Sequence, residues 1–331
     1  MPGFRDIIGH EKIIAHMQQA IRTGNVSHAY ILDGPEHAGK RMLADAFAMA
    51  LQCEVQSGEG CLVCRSCKQA LSGNQPDIIT LQQEKPGTVS VKEVREQIND
   101  TVDIRPYSSR YKIYIIENAQ KMTQAAQNAL LKTLEEPPSY VVFLLLTTNS
   151  ESFLQTVRSR CVMLRLQAAS EEQIRAFLMK QCRIPDYQAD VCSAFAQGNV
   201  GRAIRLAGSE VFYEQKERML QSVKKLPDAK PHEAAAWVAE FSDWKDDIYV
   251  YLELLRLWYR DVLLMKSEKD TAHLIFSDQT DEIRRQADAW SYARIGSVIE
   301  QIRFAEDRIR SNVNRDLVLE VLFYEMRREW R

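Results

Sequence analysis

The sequence lacks the features that would place the chain in a membrane or alone on nucleic acid. Its longest apolar run, Tyr140–Leu146, is far too short to cross a bilayer. The opening residues Met1–Asp6 contain no apolar signal segment, so we expect a cytoplasmic protein. Basic residues are not in excess, since 43 Lys and Arg stand against 45 Asp and Glu. That balance argues against a chain that holds nucleic acid by itself.

The cysteines do not form a disulfide pattern. There are seven, an odd number, and disulfides are rare in a reducing cytoplasm. Four thiolates at C-x₇-C-x₂-C-x₂-C spacing can complete a closed tetrahedral Zn²⁺ shell that has no open position for catalysis. An iron–sulfur cluster is the main alternative, disfavoured because no redox context is evident. We therefore predict a structural zinc module at 53–67, with Cys53, Cys61, Cys64 and Cys67 as ligands.

Short β-rich apolar runs alternate with helical patterns in the first half of the chain. This alternation indicates an α/β fold, a parallel sheet covered by helices on both faces. The predicted strands are Ala29–Asp33, Asp77–Leu81, Lys112–Ile116, Val141–Thr147 and Val162–Leu166. The predicted helices include Ile13–Arg22, Lys40–Leu51, Val91–Thr101 and Gln124–Glu136.

After Leu166 the strand signals nearly vanish. A capping box at Ser170 opens a helix, and further helices are predicted near Asp186–Gln197 and from about Gly201. From about Gly208 the pattern is helical, with Lys224–His232 as a loop. We predict three parts: an α/β domain over 1–167, a small helical domain over 168–208 and an all-α domain over 209–331.

A phosphate-binding loop follows the first predicted strand. Residues Gly34 to Lys40 match G-x-x-x-x-G-K between a strand and a helix, the setting that this motif requires. The loop amides can cradle phosphates, and Lys40 can reach the β and γ oxygens. The next residue should be a Ser or Thr that holds Mg²⁺, but it is Arg41, which cannot ligate a cation.

A second defect lies at the end of the third predicted strand. An active enzyme of this class has Asp-Glu there, whereas this chain has Glu117-Asn118. Glu117 keeps a carboxylate, but the amide of Asn118 cannot deprotonate an attacking water. We therefore predict a nucleotide site that does not hydrolyse ATP, with passive binding left open.

Several segments resemble one family. They are His28–Gly34, the run Asn128–Pro138, the triplet Ser159-Arg160-Cys161, the cysteine insertion, and Asn312–Asn314 followed by Leu317 and Leu319-Glu320. Together they resemble the AAA+ subunits of bacterial sliding-clamp loaders, over nearly the whole chain. The resemblance implies an AAA+ P-loop core with a zinc insertion, a small helical lid and an all-α collar.

The resemblance also implies roles for single residues. Arg160 would be an arginine finger that reaches the ATP of a neighbouring subunit, whereas without the family it reads as a surface arginine beside Arg158. Thr148 and Asn149 would lie near the sensor-1 strand end, and Arg202 would match sensor 2. The degenerate nucleotide site would then comprise Gly34, Gly39, Lys40, Arg41, Glu117, Asn118 and Arg202.

The leading hypothesis is a non-hydrolysing clamp-loader subunit of the DNA polymerase III holoenzyme. Its implied partners are the tau/gamma ATPase subunits and the delta subunit through the collar, with the sliding clamp and primed DNA reached through the assembled complex. It would work in the replisome at the nucleoid. One alternative is an autonomous ATPase motor of the same family. Another is a zinc-dependent DNA-binding module, for which Arg65 and Lys68 give little support.

Overall fold

The computed structural model describes residues 3–83, 87–225, 248–268 and 274–330, together with Val238. The chain forms two compact units. The first comprises Met1–Arg183 with Phe195–Ile204, and the second comprises Ile184–Ala194 with Arg205–Arg331. Residues of the predicted small helical domain over 168–208 fall in both units, and the division into three domains stays a prediction.

The first unit is built on a five-stranded sheet of order β2-β3-β4-β1-β5. Every neighbouring pair in it is parallel. The predicted strands are confirmed, with β2 and β5 somewhat shorter than expected. The strands are β1 (Ala29–Asp33), β2 (Ile78–Thr80), β3 (Lys112–Ile116), β4 (Val141–Thr147) and β5 (Val162–Arg165).

Both faces of this sheet are buried. Successive side chains of a strand point to opposite faces, and in β4 Val142 and Leu144 pack in one apolar cluster whereas Phe143 and Leu145 pack in another. Each fully buried side chain of this size stabilises the fold by about 1.5–3 kcal/mol. The near-continuous apolar runs of the central strands are therefore the sequence signature of a sheet covered on two sides.

The predicted helices of the first unit are present, but one of them is only partly α-helical and the short α3 was not predicted. The predicted helix Val91–Thr101 is α-helical only over Val91–Val94 and continues as a π-helix over Arg95–Asn99. There the N–H of Asp100 donates to the carbonyl of Arg95, five residues back, so the turn is wider than an α-helical one. The α-helices are α1 (Glu11–Thr23), α2 (Lys40–Gln52), α3 (Arg65–Leu71), α4 (Val91–Val94), α5 (Gln124–Glu135), α6 (Gln155–Arg158) and α7 (Glu171–Lys180).

Two helices contribute residues to both units. They are α8 (Asp186–Ala196) and α9 (Val200–Ala207). Gly198, between them, has a φ of 81°, and a Cβ there would lie 2.3 Å from the Cβ of Ala168. Only glycine fits this close approach, which explains the helix stop predicted at this position.

The second unit is all helix in its described residues. The helical pattern predicted from about Gly208 is confirmed in the described residues, and Ile295, Val298 and Ile302 are buried at helical spacing. The predicted loop Lys224–His232 begins too early, because Lys224 and Lys225 still belong to a helix; its remaining residues lie outside the described ones. The helices are α10 (Glu210–Lys225), α11 (Ile248–Glu268), α12 (Thr280–Ala289), α13 (Tyr292–Arg310) and α14 (Arg315–Trp330).

Large aromatic side chains fill the core of the second unit. Trp258 and Phe276 pack with ring centroids 5.6 Å apart, and the indole N–H of Trp258 donates to Gln286 at 2.9 Å. Tyr259 stacks on Trp290 at 5.5 Å. Within the described part of the chain, no helix has the length and apolar character that crossing a membrane requires.

Candidate functional site

The phosphate loop connects β1 to α2 and is fixed at both ends by glycines. Gly34 donates its N–H to the carbonyl of Thr147 at 3.1 Å, and a Cβ on Gly34 would lie 2.9 Å from Leu166. Gly39 caps α2 with a φ of 87°, in the left-handed region that favours glycine. The loop therefore has the strand-loop-helix geometry predicted from the motif.

The lysine of the loop is folded back on the loop itself. Its Nζ donates to the carbonyls of Gly34 and Pro35, each at 2.6 Å. Burial lowers the pKa of Lys40, while Glu36 and Asp33 act in the opposite direction. The ammonium of Lys40 therefore lies at the loop. It can donate to the oxygens of a bound phosphate in place of these two backbone carbonyls.

Arg41 spreads its guanidinium over three acceptors. Its Nε donates to Asp45 at 2.9 Å, one terminal nitrogen donates to Glu117, and the other donates to Thr80 Oγ1 at 3.2 Å. The parallel pairing of β2 with β3 brings Thr80 and Glu117 to the same edge of the sheet. Arg41 stands where a metal-binding Ser or Thr is expected, and Glu117 is the carboxylate that remains of such a site. In the structure these two side chains are paired with each other.

Arg41 faces two carboxylates, those of Asp45 and Glu117. Burial acts to lower the pKa of Arg41, but Asp45 and Glu117 outweigh it, so that pKa lies above its ordinary value. Burial raises the pKa of Asp45, against the opposing effect of Arg41. Mg²⁺ needs oxygen ligands in near-ideal octahedral geometry, and here a permanent cation already holds the carboxylate of Glu117. The residues present do not fit a magnesium ion.

A cavity of about 510 Å³ opens over the loop. Asn118, with a φ of 49°, stands at its wall, where it offers an amide and no general base. Thr148 also lines the cavity, whereas Asn149 accepts a hydrogen bond from the N–H of Glu151 and caps the turn after β4. The lining residues are Glu36, His37, Gly39, Lys40, Arg41, Met42, Glu117, Asn118, Leu146, Thr148 and Gly201.

The start of α9 packs against the phosphate loop. The side chain of Asn199 donates to the carbonyl of Glu36 at 2.5 Å, and a Cβ on Gly201 would lie 2.5 Å from the carbonyl oxygen of His37. The N–H of Arg202 donates to Asn199 Oδ1 at 2.9 Å. This contact places Gly201 in the cavity wall, with Arg202 next to it along the helix.

Arg160 lies on the short turn after α6 and is not part of the cavity lining described above. Its guanidinium pairs with Glu135 at 3.0 Å and donates to the carbonyl of Thr156 at 2.9 Å. About a third of its side chain is exposed, 35%. Arg158, two residues earlier, pairs instead with Glu151 at 2.5 Å. The two neighbouring arginines therefore have different partners.

The four predicted metal ligands come together. The sulfur atoms of Cys53, Cys61, Cys64 and Cys67 all lie within 4.8 Å of one another. Backbone N–H groups donate to three of these sulfurs, at 3.3 to 3.4 Å. The donor set is that of a closed tetrahedral thiolate site, so the cluster could hold a metal ion.

Hydrogen bonds and burial shift the pKa values of two of these thiols in opposite directions. N–H groups of Cys64 and Val63 lower the pKa of Cys61 to about 6, which favours its thiolate. Burial raises the pKa of Cys67. A coordinated cation would deprotonate such a thiol outright.

The sequence did not reveal the residues that orient the two arginines. Asp45 and Thr80 gave no motif signal, and Glu135 lies in the run Asn128–Pro138 that resembles the family but was assigned no role there. Asp45 lies one helical turn after Arg41, and that i, i+4 spacing is the hint that the sequence offers for this contact. Thr80 and Glu135 are brought in by the sheet order and by the end of α5.

Two family profiles match this sequence. The profile described as "DNA polymerase III, delta subunit" matches residues 9–170, and the one described as "DNA polymerase III, delta subunit, C terminal" matches residues 211–328. The chain is 29% identical over 308 residues to DNA polymerase III subunit delta' of Bacillus subtilis (strain 168), covering 92% of each protein. The first match contains the phosphate loop, the cysteine cluster and Arg160, and the second covers most of the second unit.

The chain is also similar to gamma and tau subunits. It is 28% identical over 305 residues to DNA polymerase III subunit tau of Bacillus subtilis (strain 168), covering 86% of this chain and 54% of that protein. It is 34% identical over 209 residues to DNA polymerase III subunit gamma of Buchnera aphidicola subsp. Acyrthosiphon pisum (strain APS), covering 61% of this chain and 57% of that protein. The chain spans about half the length of these two relatives.

Proposed function

We propose that this chain, which belongs to the family of DNA polymerase III clamp-loader subunits, is a non-hydrolysing subunit of the delta' type. In this role it completes the ATP site of a neighbouring subunit with Arg160 and hydrolyses no ATP in its own site. The observation that carries the proposal is the contrast between two arginines. Both are part-exposed and ion-paired, but Arg41 lines the chain's own nucleotide site and is paired there with Glu117, whereas Arg160 is paired with Glu135 and lies outside that lining.

The chain's own site supports the first half of the proposal. Hydrolysis needs a metal ion and a group that orients the attacking water. Arg41 holds the carboxylate of Glu117, and Asn118 supplies no base. Two independent defects thus block the reaction in cis.

The setting of Arg160 supports the second half. A planar and permanently charged guanidinium stabilises charge on a transferring γ-phosphoryl group, and it can be supplied in trans. The contacts to Glu135 and Thr156 hold this guanidinium at the surface of the first unit. It is therefore preorganised for a phosphate on another chain.

We assign zinc to the cysteine cluster and a structural role to the metal. Four thiolates suit Zn²⁺, and they leave no coordination position open for chemistry. Cys64 also caps α3, since its sulfur accepts the N–H of Cys67. The metal would join the end of α2 to the start of α3.

The proposed partners follow from the relatives. They are the tau/gamma ATPase subunits and the delta subunit, contacted through the second unit as a collar, with the sliding clamp and primed DNA reached through the complex. Exposed apolar residues on α14, including Leu317 and Tyr324, offer surface for such contacts.

The test is reconstitution of the complex with Arg160→Ala. Assembly is expected to survive, because the side chain is not part of either apolar core. Partner ATPase activity is expected to fall by roughly 10³-fold or more at the affected site, as for other arginine fingers. Turnover is measured for the complex and for each chain alone.

Arg158→Ala is the matched control, since Arg158 is ion-paired on the same turn. It should leave partner turnover near the wild-type rate. Equal effects of the two substitutions would reject the role of Arg160, and so would unchanged turnover with Arg160→Ala.

The similarity to gamma and tau subunits favours one competing function, an autonomous ATPase motor. ATP hydrolysis by the isolated chain distinguishes this motor function from the non-hydrolysing role. Measurable hydrolysis that survives removal of every partner, and that is lost in Lys40→Ala, would establish the motor and overturn the proposal.

A further inference from the structure

The guanidinium of Arg41 stands where the sequence motif calls for a hydroxyl that binds metal. It reaches Glu117, Asp45 and Thr80 at once, so each of its three nitrogens has an acceptor. An ammonium carries its three donors on a single nitrogen, whereas the guanidinium spreads its donors over three nitrogens of a planar fork and can reach three separated groups. The cation is therefore held in place by the protein itself.

Arg41 still has donors to offer. A guanidinium carries five N–H groups, and the three contacts use one from each nitrogen. Arg41 lines the cavity over the phosphate loop together with Lys40 and Gly39. Remaining N–H groups of Arg41 can thus donate to a phosphate placed in this cavity.

A second cavity of about 450 Å³ adjoins the same ion pair. Arg41, Glu117 and Asn118 line both cavities. The second cavity is also lined by Thr80, Leu81, Gln82 and Gln83. Glu117 and Asn118 directly follow β3, at the carboxyl edge of the sheet.

A nucleotide that carries Mg²⁺ meets two obstacles here. The ion would need oxygen ligands at about 2.0–2.1 Å, yet the carboxylate of Glu117 is engaged and no hydroxyl follows Lys40. The ion would also stand beside a guanidinium that cannot lose its proton. A nucleotide without metal meets neither obstacle, and its phosphates find Lys40, Arg41 and the start of α2.

We propose that Arg41 is a tethered cation that replaces the nucleotide's divalent metal, so that this site binds a metal-free nucleoside di- or triphosphate in preference to its magnesium complex. The chain would hold such a ligand without consuming it. The preference belongs to the chain's own site and does not depend on whether Arg160 acts in trans.

The experiment titrates the full chain with N-methylanthraniloyl-ADP and follows fluorescence anisotropy, once in buffer freed of magnesium without a chelator, which leaves the bound zinc in place, and once with millimolar Mg²⁺. The wild-type chain is expected to bind more tightly without Mg²⁺. Arg41→Thr restores a metal-binding hydroxyl and removes the tethered charge. It should weaken binding in the magnesium-free buffer by roughly 10-fold or more, the cost of lost hydrogen bonds to a charged group, and bind more tightly with Mg²⁺ than without.

Two variants locate the effect. Lys40→Ala should lose binding in both buffers, because it removes the lysine of the same loop. Arg158→Thr should keep the wild-type affinities, since it alters an arginine ion pair elsewhere in the first unit. If Arg41→Thr does not fold, Arg41→Gln removes the charge with a longer side chain and should likewise lose the tight binding in the magnesium-free buffer. Zinc content and circular dichroism report folding in each case.

Three results would overturn the inference: wild-type binding that requires Mg²⁺, no wild-type binding in either buffer, or an Arg41→Thr variant with the wild-type metal preference. Its failure is distinguishable from failure of the trans role. The effect of Arg160→Ala is measured as the ATPase turnover of the partner subunits, whereas the effect of Arg41→Thr is measured as nucleotide binding by the chain alone.

Discussion

At the scale of single residues, Glu135 fixes the direction of the Arg160 side chain. The ion pair is 3.0 Å long, and Glu135 belongs to the last turn of α5, within the run Asn128–Pro138 that first indicated the family. In the proposed trans role of Arg160, Glu135 is therefore a positioning residue, which would act on the neighbour's ATP only through Arg160.

We expect Glu135→Gln to lower partner turnover less than Arg160→Ala does. Half of Glu135 is exposed, 51%, and exposed ion pairs contribute up to about 1 kcal/mol, so a loss of roughly 2- to 5-fold in kcat follows. The partner's affinity for ATP should stay unchanged, and steady-state kinetics of the reconstituted complex measures both.

Glu136→Gln is the control, since the next residue is also an exposed glutamate. A larger loss in Glu136→Gln than in Glu135→Gln would show that the end of the helix matters and the ion pair does not. An unchanged kcat in Glu135→Gln would remove Glu135 from the list of positioning residues.

Single-residue chemistry was only half predictable from the sequence. Arg41 and Asn118 stand out because a motif states what should occupy their positions. The contacts of Arg41 could not be predicted, because Glu117 is 76 positions away and reaches it only through the strand order. The sequence therefore shows that Arg41 replaces a metal-binding hydroxyl, and only the fold shows that Arg41 pairs with Glu117.

At the scale of elements, the cysteine module connects two parts of the first unit. Cys53 follows α2, Cys67 lies in α3, and both pack with Met49 and Ala70 in a small cluster. Gln75 extends the connection, because its amide donates to Ser66 Oγ at 2.7 Å and to Ser109 Oγ at 3.0 Å. Ser66 belongs to α3, and Ser109 belongs to the segment before β3.

Removal of the metal should therefore loosen two segments together. Purified protein is expected to contain about one Zn²⁺ per chain. Chelation should speed hydrogen exchange of residues 61–75 and, to a smaller extent, of residues 105–110, while β1 and β4 stay protected. Metal analysis and hydrogen exchange followed by mass spectrometry measure both effects.

Cys64→Ser should reproduce the chelated state, because it removes a ligand and the cap of α3. Cys182→Ser should retain the metal, since Cys182 is not in the cluster. Metal-free protein with wild-type exchange rates would contradict the structural role.

Elements with strong patterns were predicted well. Strands β1, β3 and β4 have the predicted bounds, since continuous apolar runs bounded by polar residues leave little freedom. The π-helical turn Arg95–Asn99 was missed, because it keeps an amphipathic pattern and differs only in its hydrogen bonds. The short α3 was missed as well, since its formation depends on the cap supplied by Cys64.

At the scale of the whole molecule, the second unit carries the surface through which we propose that the chain assembles. Helix α14 buries Val318, Leu322 and Phe323 in the core of its own unit. Leu317, Val321 and Tyr324 repeat at helical spacing and are 56%, 40% and 59% exposed. An exposed apolar row opposite a satisfied core is typical of a protein interface.

We expect the double substitution Leu317→Asp, Val321→Asp to weaken assembly while leaving the single chain folded. Burying two such side chains contributes about 1.5–3 kcal/mol each, so affinity for partner subunits should fall by roughly 10²-fold or more. Size-exclusion chromatography with the tau/gamma subunits measures assembly, and thermal unfolding of the chain alone measures folding.

Val211→Asp is the control, because Val211 is an exposed valine on α10, 49% exposed. If the double variant assembles fully, the collar contact does not lie on α14. If Val211→Asp lowers the affinity for partner subunits equally, the effect comes from the added negative charge and not from loss of this apolar row.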